Sequence, residues 1–258
     1  MTPPTLTPSR SSSSQNPQLI SPGPLTPSSF SAFGTAISAP FSASLNNVPK
    51  SIPQPIHSPH QPTAVFANQN SALKTSPISQ FANNYPPAKP GDHAASTPQM
   101  SMFSCFPRNI SGVGIERTDT GKMVFKVSIL ERHPYTTQTF SPLGLSASDR
   151  STAFLIIVAP SLSSPATATT ATGRTVGISN PPDLSQLKAF VARGDQAVTY
   201  GPGMWHAPMV VVGQRRVDFV VTQFANGVPD DDCQEVLLGD NALGVDIGTL
   251  GWELKAKL

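Results

Sequence analysis

Residues 122–133, KMVFKVSILERH, give the clearest indication of the fold class, because apolar and polar side chains alternate along them. A two-residue period is typical of a half-buried β-strand. One face of this strand carries Met123, Phe125, Val127 and Ile129. By the same period Glu131 and His133 continue that face, so the pattern predicts a carboxylate and an imidazole pointing into the core at the strand end.

Further along the chain, residues 153–159 form a continuous apolar run of the length expected for a central strand. Residues 196–200, 208–212, 217–224 and 233–238 predict further strands, separated by glycine-rich turns. Asp183 and Gln186 predict a capped helix over residues 184–193, ended by Gly194. Many short strands with one or two short helices indicate a mainly β fold, either a barrel or a sandwich.

The amino-acid composition excludes several classes of protein. Of 258 residues, 38% are apolar, 12% are charged and 28 are proline, which indicates a folded core diluted by unstructured stretches. No run of 18 apolar residues occurs, so no transmembrane helix is predicted. Two cysteines are too few for a disulfide framework. A net charge of +2 gives no strong attraction to nucleic acid or to acidic membranes.

Charge is unevenly spread along the chain, and all 15 acidic residues lie from Asp92 onward. The acid-free portion is rich in Ser and Pro. We therefore predict a disordered tail over residues 1–28, a β domain over residues 29–252 and a short C-terminal tail over residues 253–258. Within the domain, residues 38–62 and 161–182 are predicted to be low-complexity insertions.

Three groups of residues are candidates for chemistry. Burying Glu131 or His133 without a partner costs several kcal/mol; alternatively Glu131 pairs with an arginine and His133 is exposed at the rim. Gln138 follows His133 by five residues and could bind a ligand or a metal, or be solvated. In Gly201-Pro202-Gly203-Met204-Trp205-His206, a glycine-rich turn allows close approach of a ligand, or simply forms a hairpin.

Arg108 lies among apolar neighbours and could clamp a substrate carboxylate through two parallel hydrogen bonds, or form a structural salt bridge. Several familiar motifs are absent from the sequence: the P-loop, the dinucleotide-binding glycine fingerprint, paired CxxC, HExxH and Gly-x-Ser-x-Gly. No nucleotide cofactor is therefore expected.

Together these pieces resemble the ureidoglycolate lyase family, whose older name is ureidoglycolate hydrolase. The matching segments are Phe30-Ser31-Ala32-Phe33-Gly34, Leu130-Glu131-Arg132-His133-Pro134, Thr137-Gln138-Thr139-Phe140-Ser141-Pro142, Pro182-Asp183-Leu184, Leu187-Lys188-Ala189-Phe190 and Trp205-His206-Ala207-Pro208. Coverage is roughly residues 29–38 and 64–240. The Ser/Pro-rich tail and the insertions look like those of fungal members.

The resemblance implies a cupin-like β-barrel (a double-stranded β-helix), usually a homodimer, that cleaves ureidoglycolate to glyoxylate and urea in allantoin catabolism. In that reading His206 and His133 are the acid/base pair, with Glu131 orienting a histidine or binding a metal. Arg108 would bind the substrate carboxylate. The remaining candidates are substrate-binding residues: Gln138 and Tyr200 for the urea part and Trp205 to exclude water.

The resemblance also implies a divalent metal such as nickel, for which the candidate ligands are His133, Gln138 and His206. Two alternatives stay open: a non-catalytic or regulatory cupin-like barrel, and a hydrolase that releases ammonia. A cupin oxygenase would require a firm iron site, for which only two suitable histidines exist.

The C-terminal Ala256-Lys257-Leu258 is a variant of the Ser-Lys-Leu peroxisomal address that an import receptor reads. The expected location is therefore the peroxisome, or otherwise the cytoplasm. Besides that receptor and a second copy of the chain, the expected partner is a small-molecule substrate.

Overall fold

The computed structural model describes residues 2–7, 18–87, 95–108, 114–239 and 243–248. Within these ranges the chain is mainly β, with two four-residue helices, α1 (Pro27–Phe30) and α2 (Pro229–Asp232), and a 3-10 turn at Leu184–Gln186. The strands are β1 (Thr5–Leu6), β2 (Gln18–Ile20), β3 (Gly23–Pro24), β4 (Gly34–Ser38), β5 (Val65–Ala67), β6 (Ala72–Lys74), β7 (Thr97–Cys105), β8 (Pro107–Arg108), β9 (Ile115–Arg117), β10 (Met123–Val127), β11 (Ile129–Arg132), β12 (Gln138–Leu143), β13 (Thr152–Ala159), β14 (Ala166–Thr169), β15 (Thr175–Ile178), β16 (Lys188–Ala192), β17 (Gln196–Tyr200), β18 (Trp205–His206), β19 (Val210–Gly213), β20 (Val217–Ala225), β21 (Gln234–Leu237) and β22 (Leu243–Asp246).

Three sheets carry the fold. The large sheet has the order β15-β14-β1-β21-β11-β18-β13-β16-β3, with β19 paired to β13 and β8 paired to β19. A five-stranded sheet has the order β4-β17-β12-β20-β7, and a four-stranded sheet has the order β2-β22-β10-β9. Strands β5 and β6 form a separate hairpin.

The large sheet lies between two hydrophobic cores, because β13 is buried on both faces. Phe154, Ile156 and Val158 enter the core shared with the five-stranded sheet. Leu155 and Ile157 enter the core shared with the four-stranded sheet. This double burial explains the continuous apolar run of residues 153–159, and the facing sheets agree with the expected cupin-like β fold.

The stretch of residues 122–133 forms two strands in two sheets, with a break at Ser128. After the break Leu130 joins the core that Phe125 and Val127 occupy, while Ile129 is partly exposed. The prediction that Glu131 shares the face of Phe125 was therefore wrong. One residue that belongs to neither strand reverses which side chains face inward, and Glu131 faces away from Leu130.

The predicted helix over residues 184–193 was also wrong. Asp183 does cap a turn, accepting the backbone N–H of Ser185 at 3.1 Å, but that turn ends at Gln186. The following residues form β16, in which Phe190 pairs with Ile156 of β13. Pairing with a buried strand outweighs local helix propensity here, because it buries alternate side chains in both cores.

Segments of low-complexity composition contribute strands. Residues 161–182 carry the β14–β15 hairpin, in which Ala168 is fully buried. Strand β1, from the predicted N-terminal tail, pairs with β14 and β21. Small side chains such as those of residues 166–172 suit a strand that packs close to its neighbours, so composition alone is a poor guide to order here. Residues 39–64 contain turns and no helix or strand.

The first matching segment of the family resemblance anchors the five-stranded sheet. Phe30 is fully buried and Phe33 is 5% exposed, and both pack in the core below Tyr200. Gly34 approaches the backbone of β17 so closely that a Cβ would lie 2.0 Å from the Thr199 carbonyl oxygen. Only glycine fits at this position.

No helix among the described ranges is long and apolar enough to cross a membrane. The C-terminal tail predicted over residues 253–258, including Ala256-Lys257-Leu258, lies outside the described residues, as do residues 8–17 of the N-terminal tail.

Candidate active site

The site lies where the large sheet meets the five-stranded sheet. Strand β18 is only two residues long and runs between β11 and β13, which pairs His206 with Glu131 on one side and with Val158 on the other. Gln138 is the first residue of β12 in the facing sheet and pairs with Tyr200 and Gln223. Sheet register therefore pairs residues that are up to 85 positions apart in sequence, as Gln138 and Gln223 are.

Four of the predicted site residues form one cluster. His206 Nε2 lies 3.4 Å from Glu131 Oε1 and 3.2 Å from Gln138 Oε1. The ring centroids of His133 and His206 are 5.5 Å apart. Nitrogen and oxygen atoms of Glu131, His133 and His206 that could bind a metal all lie within 4.8 Å of one another.

Both imidazoles are held by backbone carbonyls through Nδ1. His133 Nδ1 lies 2.5 Å from the Asp232 carbonyl oxygen, and His206 Nδ1 lies 3.0 Å from that of Met204. Since a carbonyl only accepts, each Nδ1 carries the proton and each Nε2 is left for the cluster. His133 Nε2 is buried without a hydrogen-bond partner among the described residues.

The glycine-rich turn before β18 fixes His206 relative to His133. Gly203 has a φ of +71°, which favours glycine, and its N–H donates to the His133 carbonyl oxygen at 2.8 Å. Met204 N–H donates to the Gly201 carbonyl at 3.1 Å and closes the turn. The turn therefore ties the start of β18 to the end of β11.

Gln223 orients the Gln138 amide. Gln138 Nε2 donates to Gln223 Oε1 at 2.6 Å, which turns Gln138 Oε1 toward His206. Gln223 is half-buried and lies opposite Gln138 in the β12–β20 pairing. No feature of the sequence distinguished Gln223 from an ordinary strand residue.

Burial and mutual charge set the protonation of the cluster. Burial lowers the pKa of His133 below its ordinary value, and the neighbouring His206 lowers it further. Burial alone would raise the pKa of Glu131, but the hydrogen bond and charge of His206 outweigh it and lower that pKa. A neutral His133 and an ionised Glu131 are therefore favoured near neutral pH.

The donor set suits a first-row divalent cation. Two imidazole nitrogens, a carboxylate oxygen and an amide oxygen are ligands that nickel or zinc accepts. The buried, unpartnered His133 Nε2 is the strongest single indication, because such an atom requires a proton, a ligand or a metal. The geometry places Glu131, for which metal binding was one of two expected roles, within reach of the same ion as His133 and His206.

Tyr200 lies beneath the cluster. It is 2% exposed, and its ring stacks on His206. It therefore supports the imidazole and offers little surface to a substrate, which differs from the predicted contact with the urea group.

Trp205 does not line the cluster. It neighbours His206 in β18, and successive strand residues point to opposite faces. Its ring packs in the other core, its Nε1 donates to the Asn180 carbonyl at 2.9 Å, and the Arg132 guanidinium lies 4.9 Å above it. The predicted role of Trp205 in excluding water from the site is corrected accordingly.

Arg108 is also remote from the cluster. Arg108 pairs with Val212 of β19, and Val212 pairs with Ala153 of β13. His206 pairs with Val158 of the same strand β13, five positions further along. Five residues of strand span about 17 Å. The predicted clamp on a substrate carboxylate therefore does not lie beside His206 within one chain.

Arg132, which follows Glu131 in β11, is a structural residue. Its guanidinium donates to the Ser179 and Asn180 carbonyls, each at 3.0 Å, and its Nε and Nη2 donate to Gln234 Oε1 at 2.9 and 2.7 Å. It lies on the face of β11 opposite Glu131 and holds the loop that Trp205 also contacts.

Comparison with known proteins gives one family. A family model described as ureidoglycolate lyase matches residues 17–245. A Saccharomyces cerevisiae protein named ureidoglycolate lyase is 34% identical over 173 residues, covering 66% of this chain and 75% of that protein. A Schizosaccharomyces pombe protein of the same name is 36% identical over 172 residues, with the same coverage.

A bacterial ureidoglycolate lyase, from Pseudomonas fluorescens, is 32% identical over 115 residues, covering 45% of this chain and 54% of that protein. The sequence match and the Glu131–His133–His206 cluster agree with the resemblance seen in the sequence. Since the family match spans most of the chain, this protein belongs to the ureidoglycolate lyase family.

Proposed function

We propose that the protein is a ureidoglycolate lyase that cleaves the C–N bond of ureidoglycolate to give glyoxylate and urea. The observation that carries this proposal is the buried cluster of Glu131, His133 and His206 in a chain of this family. The names of the yeast relatives support the same substrate.

The reaction requires one proton to be removed and one to be delivered. In ureidoglycolate a single carbon carries a carboxylate, a hydroxyl and a ureido nitrogen. Removing the hydroxyl proton forms the C=O bond of glyoxylate while the C–N bond breaks. The leaving nitrogen takes up a proton and departs as urea, so protons balance.

His133 is suited to remove the hydroxyl proton. Its Nδ1–H is held by the Asp232 carbonyl, and its Nε2 is buried with no hydrogen-bond partner in the part of the chain that the structure describes. Because burial lowers the pKa of His133, the imidazole is neutral near pH 7 and can accept a proton at Nε2.

His206 is suited to protonate the leaving nitrogen. Its Nε2 lies between Glu131 Oε1 and Gln138 Oε1, so a proton on Nε2 has two acceptors. An unprotonated Nε2 would instead place its lone pair against the lone pairs of these two oxygens. The Glu131 carboxylate, which lies 3.4 Å from this Nε2, can accept that proton in a hydrogen bond.

A divalent cation such as nickel would be held by His133, His206, Glu131 and Gln138, and it would supply Lewis-acid polarisation of the substrate. Binding a metal and carrying a proton are competing uses of the same Nε2 atoms. Sensitivity of turnover to a chelator therefore separates the two.

The deciding experiment is incubation of the purified full chain with ureidoglycolate, with and without chelator, while glyoxylate, urea and ammonia are measured. Glyoxylate and urea in equal amounts without ammonia would support the lyase. Ammonia release would indicate the hydrolase, and no turnover under any metal condition would favour a non-catalytic barrel.

We also propose two untested properties. The family resemblance supports a homodimer, and the C-terminal Ala256-Lys257-Leu258 supports import into peroxisomes. Light scattering measures the first property. For the second, a fluorescent protein should be fused at the N-terminus. Extra residues added after Leu258 should move this fusion from peroxisomes to the cytoplasm, and an unchanged location would contradict the proposal.

A further inference from the structure

A short segment before β7 braces the turn that joins two residues of the cluster. Residues 81–85, here called the brace, run beside residues 134–137, which connect His133 to Gln138. The Ala82 carbonyl accepts the N–H of Thr137 at 3.3 Å and the hydroxyl of Thr136 at 3.1 Å. Asn84 N–H donates to the Tyr135 carbonyl at 2.7 Å.

The last residue of the brace reaches a second loop near the cluster. The Tyr85 hydroxyl donates to Asp232 Oδ1 at 2.7 Å, and its ring packs against Tyr135 with centroids 5.2 Å apart. Burial and the hydrogen bond to Asp232 raise the pKa of Tyr85, so the phenol remains a donor at neutral pH.

Asp232 connects this bond to the histidine. Its carboxylate accepts the Tyr85 hydroxyl, the Asn226 N–H at 2.8 Å and the Gly227 N–H at 2.8 Å. Of these three donors, only Tyr85 comes from outside the loop that carries Asp232. The backbone carbonyl of the same Asp232 accepts Nδ1–H of His133.

We propose that Tyr85 is a positioning residue of the active site. Its bond to Asp232 holds the Asp232 carbonyl against His133 Nδ1, and that carbonyl keeps the proton on Nδ1 and the lone pair on Nε2. The chemistry assigned to His133 rests on the proposed function, but the effect on its tautomer does not.

The test is the Tyr85→Phe variant of the full chain, which keeps the ring and removes only the hydroxyl. In metal-free protein, nitrogen NMR of labelled histidine should show His133 as the Nδ1–H tautomer in the wild type and as a tautomer mixture in Y85F. In the same variant kcat for ureidoglycolate should fall about tenfold, as for other groups that orient a reacting residue, with KM within about twofold.

The matched control is Tyr135→Phe, which removes a hydroxyl from the adjacent ring and leaves the Asp232 bond intact. An unchanged His133 tautomer in Y85F would overturn the proposal, even if thermal stability fell, because the role would then be structural only. Asp232→Asn, which weakens the same bond from the other side, should reproduce the tautomer mixture if Y85F folds poorly. Since the NMR measurement does not depend on turnover, it decides this inference even if the wild type fails to cleave ureidoglycolate.

Discussion

The imidazole of His206 lies flat on the phenol ring of Tyr200, with centroids 3.9 Å apart and planes inclined by 10°. Both side chains are almost fully buried, at 1% and 2% exposure. Burial raises the pKa of Tyr200, and the negative charge of Glu131 adds to this, so the ring under His206 is a neutral phenol. The stack fixes the plane in which His206 presents Nε2.

If Tyr200 acts through its ring, Tyr200→Phe should keep kcat/KM within about threefold of the wild type. Tyr200→Leu removes the stacking face and should lower kcat about 100-fold, because small displacements of a reacting group are costly. Steady-state kinetics measure both. A tenfold rise in KM for Y200F at unchanged kcat would instead mean that the hydroxyl contacts the substrate.

His206→Ala should lower kcat by about 10²–10⁴, the usual contribution of a general acid or base, while circular dichroism shows the fold retained. The matched control is His60→Ala, which removes an exposed imidazole from the segment before β5 and should leave turnover unchanged. Near-normal activity in H206A would remove His206 from the mechanism.

Gln223→Leu should release the Gln138 amide, because Gln223 Oε1 is the acceptor that sets its orientation. We expect kcat to fall about tenfold, the low end of the cost of losing an outer partner. A crystal structure should show Gln138 Oε1 displaced from His206. Full activity in Q223L would mean that the orientation of the amide is set elsewhere.

Metal affinity offers a test independent of turnover. Glu131→Gln removes the negative ligand and should weaken nickel binding at least tenfold, whereas Gln138→Glu adds a second carboxylate and should strengthen it. Competition with a coloured chelator measures both constants. Equal affinity in wild type, E131Q and Q138E would show that the cluster is not the metal site.

The free energy of unfolding should decrease at acidic pH because of His133. Its pKa in the folded protein lies below the ordinary value of about 6.5, so the unfolded chain binds the proton first. The stabilisation by neutral His133 is present above that ordinary pKa and is lost as pH falls through the lowered one, at up to about 1.4 kcal/mol per pH unit.

Urea unfolding at pH 7 and pH 5 should therefore show a larger loss for the wild type than for His133→Asn, in which nothing titrates at this position. Equal losses in the two proteins would contradict a lowered pKa at His133.

A strand that is buried on both faces was predictable from the sequence. Residues 153–159 are apolar throughout because both faces of β13 are buried, and the shortness of the run favours a strand over a buried helix. Residues 184–193 fit a helical stripe equally well. Whether Phe190 pairs with Ile156 depends on a strand that lies more than 30 positions earlier, which local propensity does not register.

The candidate site was predictable in part. Glu131, His133, Gln138 and His206 were identified from residue type and motif spacing, and the structure brings them together. Trp205 and His206 face opposite sides because both belong to β18, a two-residue strand that the sequence pattern did not predict. The orienting contacts of Tyr85, Gln223 and Asp232 depend on tertiary pairing between distant segments, and no local pattern marks them.

The side chains of the consecutive residues Glu131 and Arg132 lie on opposite faces of β11. Glu131 lies beside His206, and Arg132 lies over Trp205. A one-residue slip of β11 exchanges them, because every side chain of a strand then changes face. The slip would put a guanidinium in place of the carboxylate and reverse the sign of the electric field at the imidazole. The break at Ser128, across which the inward-facing side chains change from odd-numbered to even-numbered positions, therefore also determines the polarity of the site.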